Sequence, residues 1–299
     1  MSGSSRPVAR VLAPNPGPMT LEGTNTWIVG REPALVIDPG PDDRGHLGEV
    51  AGRAGRVAAI LLTHHHPDHA PGAAALASMT GANVMALRPV AGEGRLRDGE
   101  TIEAGGVRLA VVSTPGHTQD HVTFHEPDLR ALFTGDAVLG RGTSVIDPPE
   151  GDLSAYLRSL ERMVALRPSV LYPGHGPAVW SAMDKLTEYV RHRQERERQV
   201  LEGLEGGART PGELVPAIYA DYPAELHPLA ERSVLAHLLK LEREGRAARV
   251  GKPSDDRFEV STPRACARCG RPAPPRATLC GRCSLAVLQE APGAGEATT

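Results

Sequence analysis

The chain has 299 residues, of which 40% are hydrophobic, 23% charged and only 3% aromatic, with a formal charge of −3. Those figures fit one large globular domain plus one or two small ones, with a core built mainly from Ala, Val and Leu, and they exclude a generally basic nucleic-acid binder. No stretch approaches membrane-spanning length, and residues 1–18 contain no apolar run of signal-peptide type. All four cysteines lie between Cys266 and Cys283, so a reduced, cytoplasmic protein is expected.

Between about Val8 and Pro177, short apolar runs alternate with turns. Strands are expected at residues 26–30, 34–38, 57–62, 107–112, 122–124 and 131–134, with Asp38-Pro39-Gly40-Pro41 and Glu103-Ala104-Gly105-Gly106 supplying turn chemistry. Helices are expected at residues 43–53, 70–80 and 152–165. The mixture predicts an α/β architecture of sheets faced by helices, with the chemistry at the sheet edges. A long polar helix follows over Ala182–Glu205. Its charge run places Arg191 and Arg193 four residues before Glu195 and Glu197, which reads as a solvated connector laced by surface ion pairs.

After Gly206-Gly207 come a short capped helix at residues 210–219 and an amphipathic helix at residues 227–244. The latter is expected to turn Leu229, Ser233, Ala236 and Leu239 inward, with Leu235 and Leu238 alongside. A hairpin then pairs residues 246–250 with 257–260, giving a winged-helix module. From Arg209 to Val260 there are 8 Lys or Arg against 9 Asp or Glu, a balance poorly suited to a phosphate backbone. A packing or dimerisation role that also walls a cleft serves this module equally well.

Cys266, Cys269, Cys280 and Cys283 form a C-x2-C-x10-C-x2-C pattern, the spacing of a structural zinc knuckle or ribbon whose closed thiolate shell leaves no position for catalysis. Arg264, Arg268, Arg271, Arg276 and Arg282 accompany it without an acidic residue, which suits contact with RNA. The expected organisation is therefore a principal domain at 1–181, a connecting helix at 182–205, the winged helix at 206–262, the zinc module at 263–285 and a disordered tail at 286–299. The oligomeric state is left open.

Chemistry concentrates at His64-His65-His66-Pro67-Asp68-His69, which follows an apolar strand and precedes an Ala-rich helix. In extended backbone His64 and His66 share a face and can grip one ion while His65 points away, and Asp68 with His69 can reach a second. Imidazole nitrogens and carboxylate oxygens suit zinc. Three further motifs follow in order, Thr114-Pro115-Gly116-His117, Thr134-Gly135-Asp136 and Tyr172-Pro173-Gly174-His175. Each presents a His or Asp in a Gly-containing turn just past an apolar strand.

This ordered set resembles the metallo-β-lactamase-fold hydrolases, over the whole region from Val8 to Pro177. The resemblance implies an αββα sandwich in which His64, His66 and His117 hold one zinc, Asp68, His69 and His175 hold another, and Asp136 bridges them. A metal-bridging hydroxide would then be the nucleophile, and Asp68 would take up a proton as it attacks. The sequence departs from the family in having Ala70-Pro71-Gly72 where Gly-Gly is usual. His121 is a candidate to donate to a substrate oxygen or to steady His117, a structural hydrogen-bonded histidine being the alternative. His65, His125 and His192 receive no role.

The segment from Asn15 to Trp27, the stretch from Arg167 to Pro177 and the winged helix together resemble the β-lactamase-like protein 2 branch. That branch implies single-stranded RNA as the first choice of substrate, with an acyl-carrier-protein or CoA-type thioester, from fungal relatives, as the alternative. A small ester or lactone belongs with the second class. A non-enzymatic nucleic-acid-binding protein is a third possibility, against which the full ligand set argues. No room exists between Asp136 and His175 for the β-CASP insertion of other nucleases in the fold.

Overall fold

A computed structural model describes residues 8–89, 92, 94–252, 255–261, 264–265, 268–269 and 272–273. The chain divides into two compact units between Glu195 and Arg196. In the first, the strands and helices run β1 (Val8–Leu12), β2 (Asn25–Val29), β3 (Ala34–Ile37), α1 (Arg44–Ala54), β4 (Val57–Leu61), α2 (Gly72–Thr80), β5 (Asn83–Ala86), β6 (Gly94–Arg95), β7 (Thr101–Ala104), β8 (Val107–Ser113), β9 (Val122–Glu126), β10 (Ala131–Gly135), α3 (Leu153–Ala165) and β11 (Val170–Pro173). One sheet has the order β1-β2-β3-β4-β5-β6 and the other β11-β10-β9-β8-β7.

Period-two alternation explains how these sheets stack. Trp27, Val29, Leu35, Ile37 and Leu61 of the first sheet pack on Leu109, Val111, Val122, Phe124 and Phe133 of the second. The intervening residues Ile28, Val36 and Ile60 face the other way, onto Leu47 and Val50 of α1 and Leu76 of α2. Both faces of β2 and β3 are thus covered, which is why these strands are apolar almost throughout. On the outer side of the second sheet, α3 brings Met163 to Thr123, whose hydroxyl lies 3.7 Å from the sulfur. The result is helix on sheet on sheet on helix.

The helix starts are written in the sequence. Asp43 caps α1 by accepting from the amide of His46, and Asp152 caps α3 by accepting from Ala155. The Ala-rich helix starts at Gly72, two residues later than expected, with Pro71 at its N-cap position. Gly72 marks the reason: a Cβ there would stand 2.9 Å from the carbonyl of Pro41, so α2 can lie against that turn only through a glycine. Four short elements, β1, β5, β6 and β7, were not expected from the sequence. β7 alternates exposed and half-buried residues at a sheet edge, a pattern too polar to stand out from a loop.

The division between the units falls inside α4 (Ala182–Glu205). The expectation of a solvated charge run with surface pairs along it fails at Arg193. Its side chain is buried, donates to the carbonyl of Ser144 and lies 5.2 Å from the Tyr156 ring centroid. Glu197, its expected partner, instead takes Lys240 at 2.5 Å, with Arg246 also bound to it.

The second unit continues with α5 (Pro211–Ile218), α6 (His227–Arg243), β12 (Ala247–Val250) and β13 (Arg257–Val260). Thr210 and Glu213 form a reciprocal capping box at the start of α5, and β12 pairs antiparallel with β13. These are the helices and wing expected. The buried face of α6 is shifted only in part from the expected one, since Leu235, Ala236 and Leu238 are buried as expected. Ala230, Val234, Leu238 and Leu241 enter the core with Val200, Leu214 and Phe258, whereas Leu229, Ser233 and Leu239 are half-buried. Val234 and Leu241 select this face because they continue the i, i+4, i+8, i+11 line through Leu238. Cys266, Cys280 and Cys283 lie outside the described residues, as does the tail from 286 onward; Cys269 is exposed. Among the described residues no helix is long and apolar enough to cross a membrane.

The shifted face has a measurable consequence. Leu241→Ala should destabilise the second unit by about 2–5 kcal/mol, the usual range for an emptied core leucine, and Leu239→Ala by less than half as much. Urea unfolding followed by circular dichroism would check this, and equal losses would contradict the assignment of the face.

Candidate metal centre

Each element delivers its chemistry from its carboxyl end. His64 and His66 follow β4, His117 follows β8, Asp136 follows β10 directly and His175 follows β11 by two residues, while Asp68 and His69 sit in the turn before α2. Two groups of donor atoms result, each drawn within 4.8 Å of one another: His64, His66 and His117 in one, and Asp68, His69, Asp136 and His175 in the other. Within the first, His117 Nε2 lies 3.1 Å from His66 Nδ1. Within the second, His175 Nε2 lies 3.2 Å from His69 Nε2 and 2.9 Å from Asp68 Oδ2. Asp136 faces both groups, with Oδ1 at 3.3 and 3.4 Å from His69 and His175 and Oδ2 at 3.8 Å from His117. All seven residues singled out by the sequence motifs therefore meet.

The outer nitrogens of these histidines are held by groups that the sequence motifs do not reveal. His69 Nδ1 meets Asp38 Oδ2 at 2.9 Å, His175 Nδ1 meets the Gly23 carbonyl at 3.1 Å, and His117 Nδ1 meets the Val145 carbonyl at 2.8 Å. Thr63 donates its hydroxyl to Asp38 Oδ2 at 2.7 Å and its amide to Oδ1 at 2.8 Å. With its only proton committed to Asp38, the Thr63 hydroxyl must accept from His64 Nδ1, 2.9 Å away. That fixes the tautomer of His64 and leaves a bare lone pair on Nε2, directed inward.

The arrangement fits a metal ion on its own terms. His64 Nε2 is buried without a hydrogen-bond partner, a costly state for a lone pair that a cation relieves. Burial lowers the basicity of His69 and His175, yet Asp136 and Asp38 outweigh it and hold His69 well above the usual histidine range. Asp136 and Asp68 likewise carry His175 up to about 9. Asp136 resists its own burial through the same two imidazoles and stays well below the carboxylate range. Without an ion, protons supply the positive charge these carboxylates require. A divalent cation would displace them. His64 is different: burial and the neighbouring His69 hold it neutral, as a ligand must be.

The loop carrying His175 is locked by the Asn15–Trp27 segment. Asn25 donates its amide NH2 to the carbonyls of Pro173 (2.9 Å) and Gly176 (2.8 Å), and Trp27 Nε1 donates to Pro173 at 3.0 Å. Gly174 permits this closeness, since a Cβ there would fall 2.6 Å from Asp136 Oδ1. His121 is fully buried beside the centre, with its ring centroid 5.1 Å from that of His64 and its Nδ1 bound to Thr114 at 2.8 Å. Burial and the nearby His117 push it down to about 3. His117 Nδ1 is held by the Val145 carbonyl, and the His117 and His121 ring centroids lie 6.2 Å apart. His65, given no role from the sequence, contacts Asp120 and Glu150 at 3.0 Å each.

Comparison with known proteins agrees with this architecture. Residues 19–175 match the model of the metallo-beta-lactamase superfamily, and residues 210–257 that of the beta-lactamase associated winged helix domain. A beta-lactamase-like protein 2 homolog from Drosophila melanogaster is 34% identical over 290 residues, spanning 86% of this chain and 94% of that protein. An atrochrysone carboxyl ACP thioesterase from Aspergillus fumigatus is 35% identical, spanning 73% of this chain and 75% of that protein. The same fold recurs in a metallo-beta-lactamase family protein from Thermus thermophilus, with a TM-score of 0.71 at 24% identity over 85% of this chain and 98% of that one. The chain thus belongs to the metallo-beta-lactamase superfamily of hydrolases, in a branch that carries a beta-lactamase associated winged helix.

Proposed function

We propose that the chain is a two-zinc hydrolase in which His64, His66 and His117 hold one ion, Asp68, His69 and His175 hold the other, and Asp136 serves both. The observation that carries this reading is the placement of Asp136, whose two oxygens face different donor groups. Zinc bound there would supply activated water at neutral pH and polarise a substrate oxygen. The protein's part is to hold the donors in place and to manage the proton. Asp68, 22% exposed, is the most open carboxylate of the set and is placed to accept the proton that the attacking water gives up. His121, buried and bound to Thr114, serves to pack and orient the centre and does not touch substrate in this reading.

The substrate class that fits best is a carboxylic thioester or ester. The fungal relative named as an acyl-carrier-protein thioesterase supports it. So does the charge beside the centre: the exposed group at the His65–His66 edge is Glu150, a carboxylate that would repel a phosphodiester chain. Single-stranded RNA is the second reading, supported by the five arginines between Arg264 and Cys283. In either case we place a structural zinc on Cys266, Cys269, Cys280 and Cys283, and domain limits at 1–181, 182–205, 206–262 and 263–285.

Parallel assays on an acyl-thioester panel and on labelled single-stranded RNA separate the two. Thioester turnover that is lost in both Asp68→Ala and His66→Ala, with the fold retained by circular dichroism, is the expected result. RNA cleavage with the same dependence, without thioester turnover, would reverse the ranking. Elemental analysis should find about three zinc ions per chain, two at the centre and one at the cysteines; a value near one would refute the paired site. Asp38→Asn, which removes charge from the partner of Thr63 and His69, should weaken zinc binding about 10–100-fold, measured by competition with a chromophoric chelator.

A further inference from the structure

We infer that Glu150 is the positioning residue for His66, held in place by His65 and Asp120, so that the middle histidine of the His64-His65-His66 run serves the centre from outside it. The inference rests on the reading of His66 as a metal ligand and adds to it the group that fixes this ligand. Four of the five histidines of the two donor groups have their outer nitrogen met by an acceptor on the protein: Thr63 for His64, Asp38 for His69, Val145 for His117 and Gly23 for His175. His66 turns Nδ1 inward, 3.1 Å from His117 Nε2, and its outer Nε2 faces Glu150 Oε2 at 3.7 Å. That separation is an ion-pair contact, longer than a hydrogen bond. With the proton kept on Nε2 by the carboxylate, the Nδ1 lone pair is free for an ion, and the carboxylate raises its donor strength.

The position of Glu150 is built and not incidental. His65 Nε2 binds its Oε1 at 3.0 Å, and His65 Nδ1 is anchored by Oδ1 of the buried Asp120, also at 3.0 Å. The backbone around Glu150 is tied to the His117 loop at three points. Gln119 Nε2 donates to the Glu150 carbonyl at 2.9 Å, the amide of Asp152 donates to the Gly116 carbonyl at 2.8 Å, and the Val145 carbonyl meets His117 Nδ1. One strap therefore supplies the outer partners of two donors in the same group, His117 through its main chain and His66 through Glu150. Asp120 and Glu150 consequently orient His65, and His65 in turn orients Glu150.

The test is metal binding by the full chain with a chromophoric chelator as competitor, using Zn2+ for affinity and Co2+ for the ligand-field spectrum, on Glu150→Ala, Glu150→Gln, His65→Ala and His66→Ala. His66→Ala should lose one ion of the pair. Glu150→Ala should bind that ion about 10–100-fold more weakly and alter the cobalt spectrum, with the thermal unfolding of the metal-free protein unchanged. Glu150→Gln, which can still accept from Nε2, should recover part of the affinity, and His65→Ala should fall between wild type and Glu150→Ala. Affinity within twofold of wild type in Glu150→Ala, alongside loss in His66→Ala, would overturn this inference and leave the metal site standing. Undiminished binding in His66→Ala would overturn the site assignment itself.

Discussion

The carboxylate of Asp38 accepts three hydrogen bonds at the end of β3, from the amide and hydroxyl of Thr63 and from His69 Nδ1. These bonds tie the end of one strand to the loop that leaves its parallel neighbour, and they do so at the residue next to His64. The arrangement sets the tautomer of His64 through Thr63 and the ring plane of His69 directly, so one buried anion orients a member of each donor group. Its backbone stands at φ +50, in the left-handed region, stiffened by the Pro39 that follows. The Asp38 amide donates to the Leu61 carbonyl and its carbonyl accepts from the Thr26 hydroxyl, so backbone and side chain together hold this conformation.

A site of this type concentrates like charges, and the structure shows how that is made tolerable. Imidazoles and carboxylates alternate around the second group, so that the protonated histidines and the ionised Asp136 and Asp68 stabilise one another. The first group contains no carboxylate of its own, and burial holds His64 and His66 below the usual histidine range. Asp136 supplies an anion that faces both groups. The asymmetry gives the two donor groups different electrostatic character within a few ångströms, one pairing protonated histidines with carboxylates and the other without a carboxylate of its own.

The donors themselves were legible because each lies in a local motif, with a strand before it and a glycine or proline beside it. Their outer partners were not, for physical reasons that differ residue by residue. Gly23 and Val145 act through main-chain carbonyls, which carry no side-chain signal at all. Asp38 is visible in the sequence only as the first residue of a turn, a sufficient explanation that hides its second task. Glu150 is separated from His66 by 84 positions, a proximity that only the folded strap creates. In the second unit the helix was read correctly but its face only in part, because apolar residues on α6 extend around more than half the cylinder and periodicity alone does not choose among them. The buried Arg193 escaped notice for the opposite reason: a charged residue in a charged run is assumed to face water, although its aliphatic stem and planar head pack well on a tyrosine.

The clamp from Asn25 to the Pro173 and Gly176 carbonyls joins positions 148 and 151 residues apart in the chain. Closing a loop of that size carries an entropic cost that is met only when the intervening sheets have already formed. During synthesis, therefore, residues 64 to 136 can emerge and pair while the final histidine is still missing, and the centre cannot be completed until the last strand of the first unit docks. Capture of an ion by the full donor set would therefore belong to the end of folding, a late lock on a structure assembled by strand pairing and not the nucleus around which that structure grows.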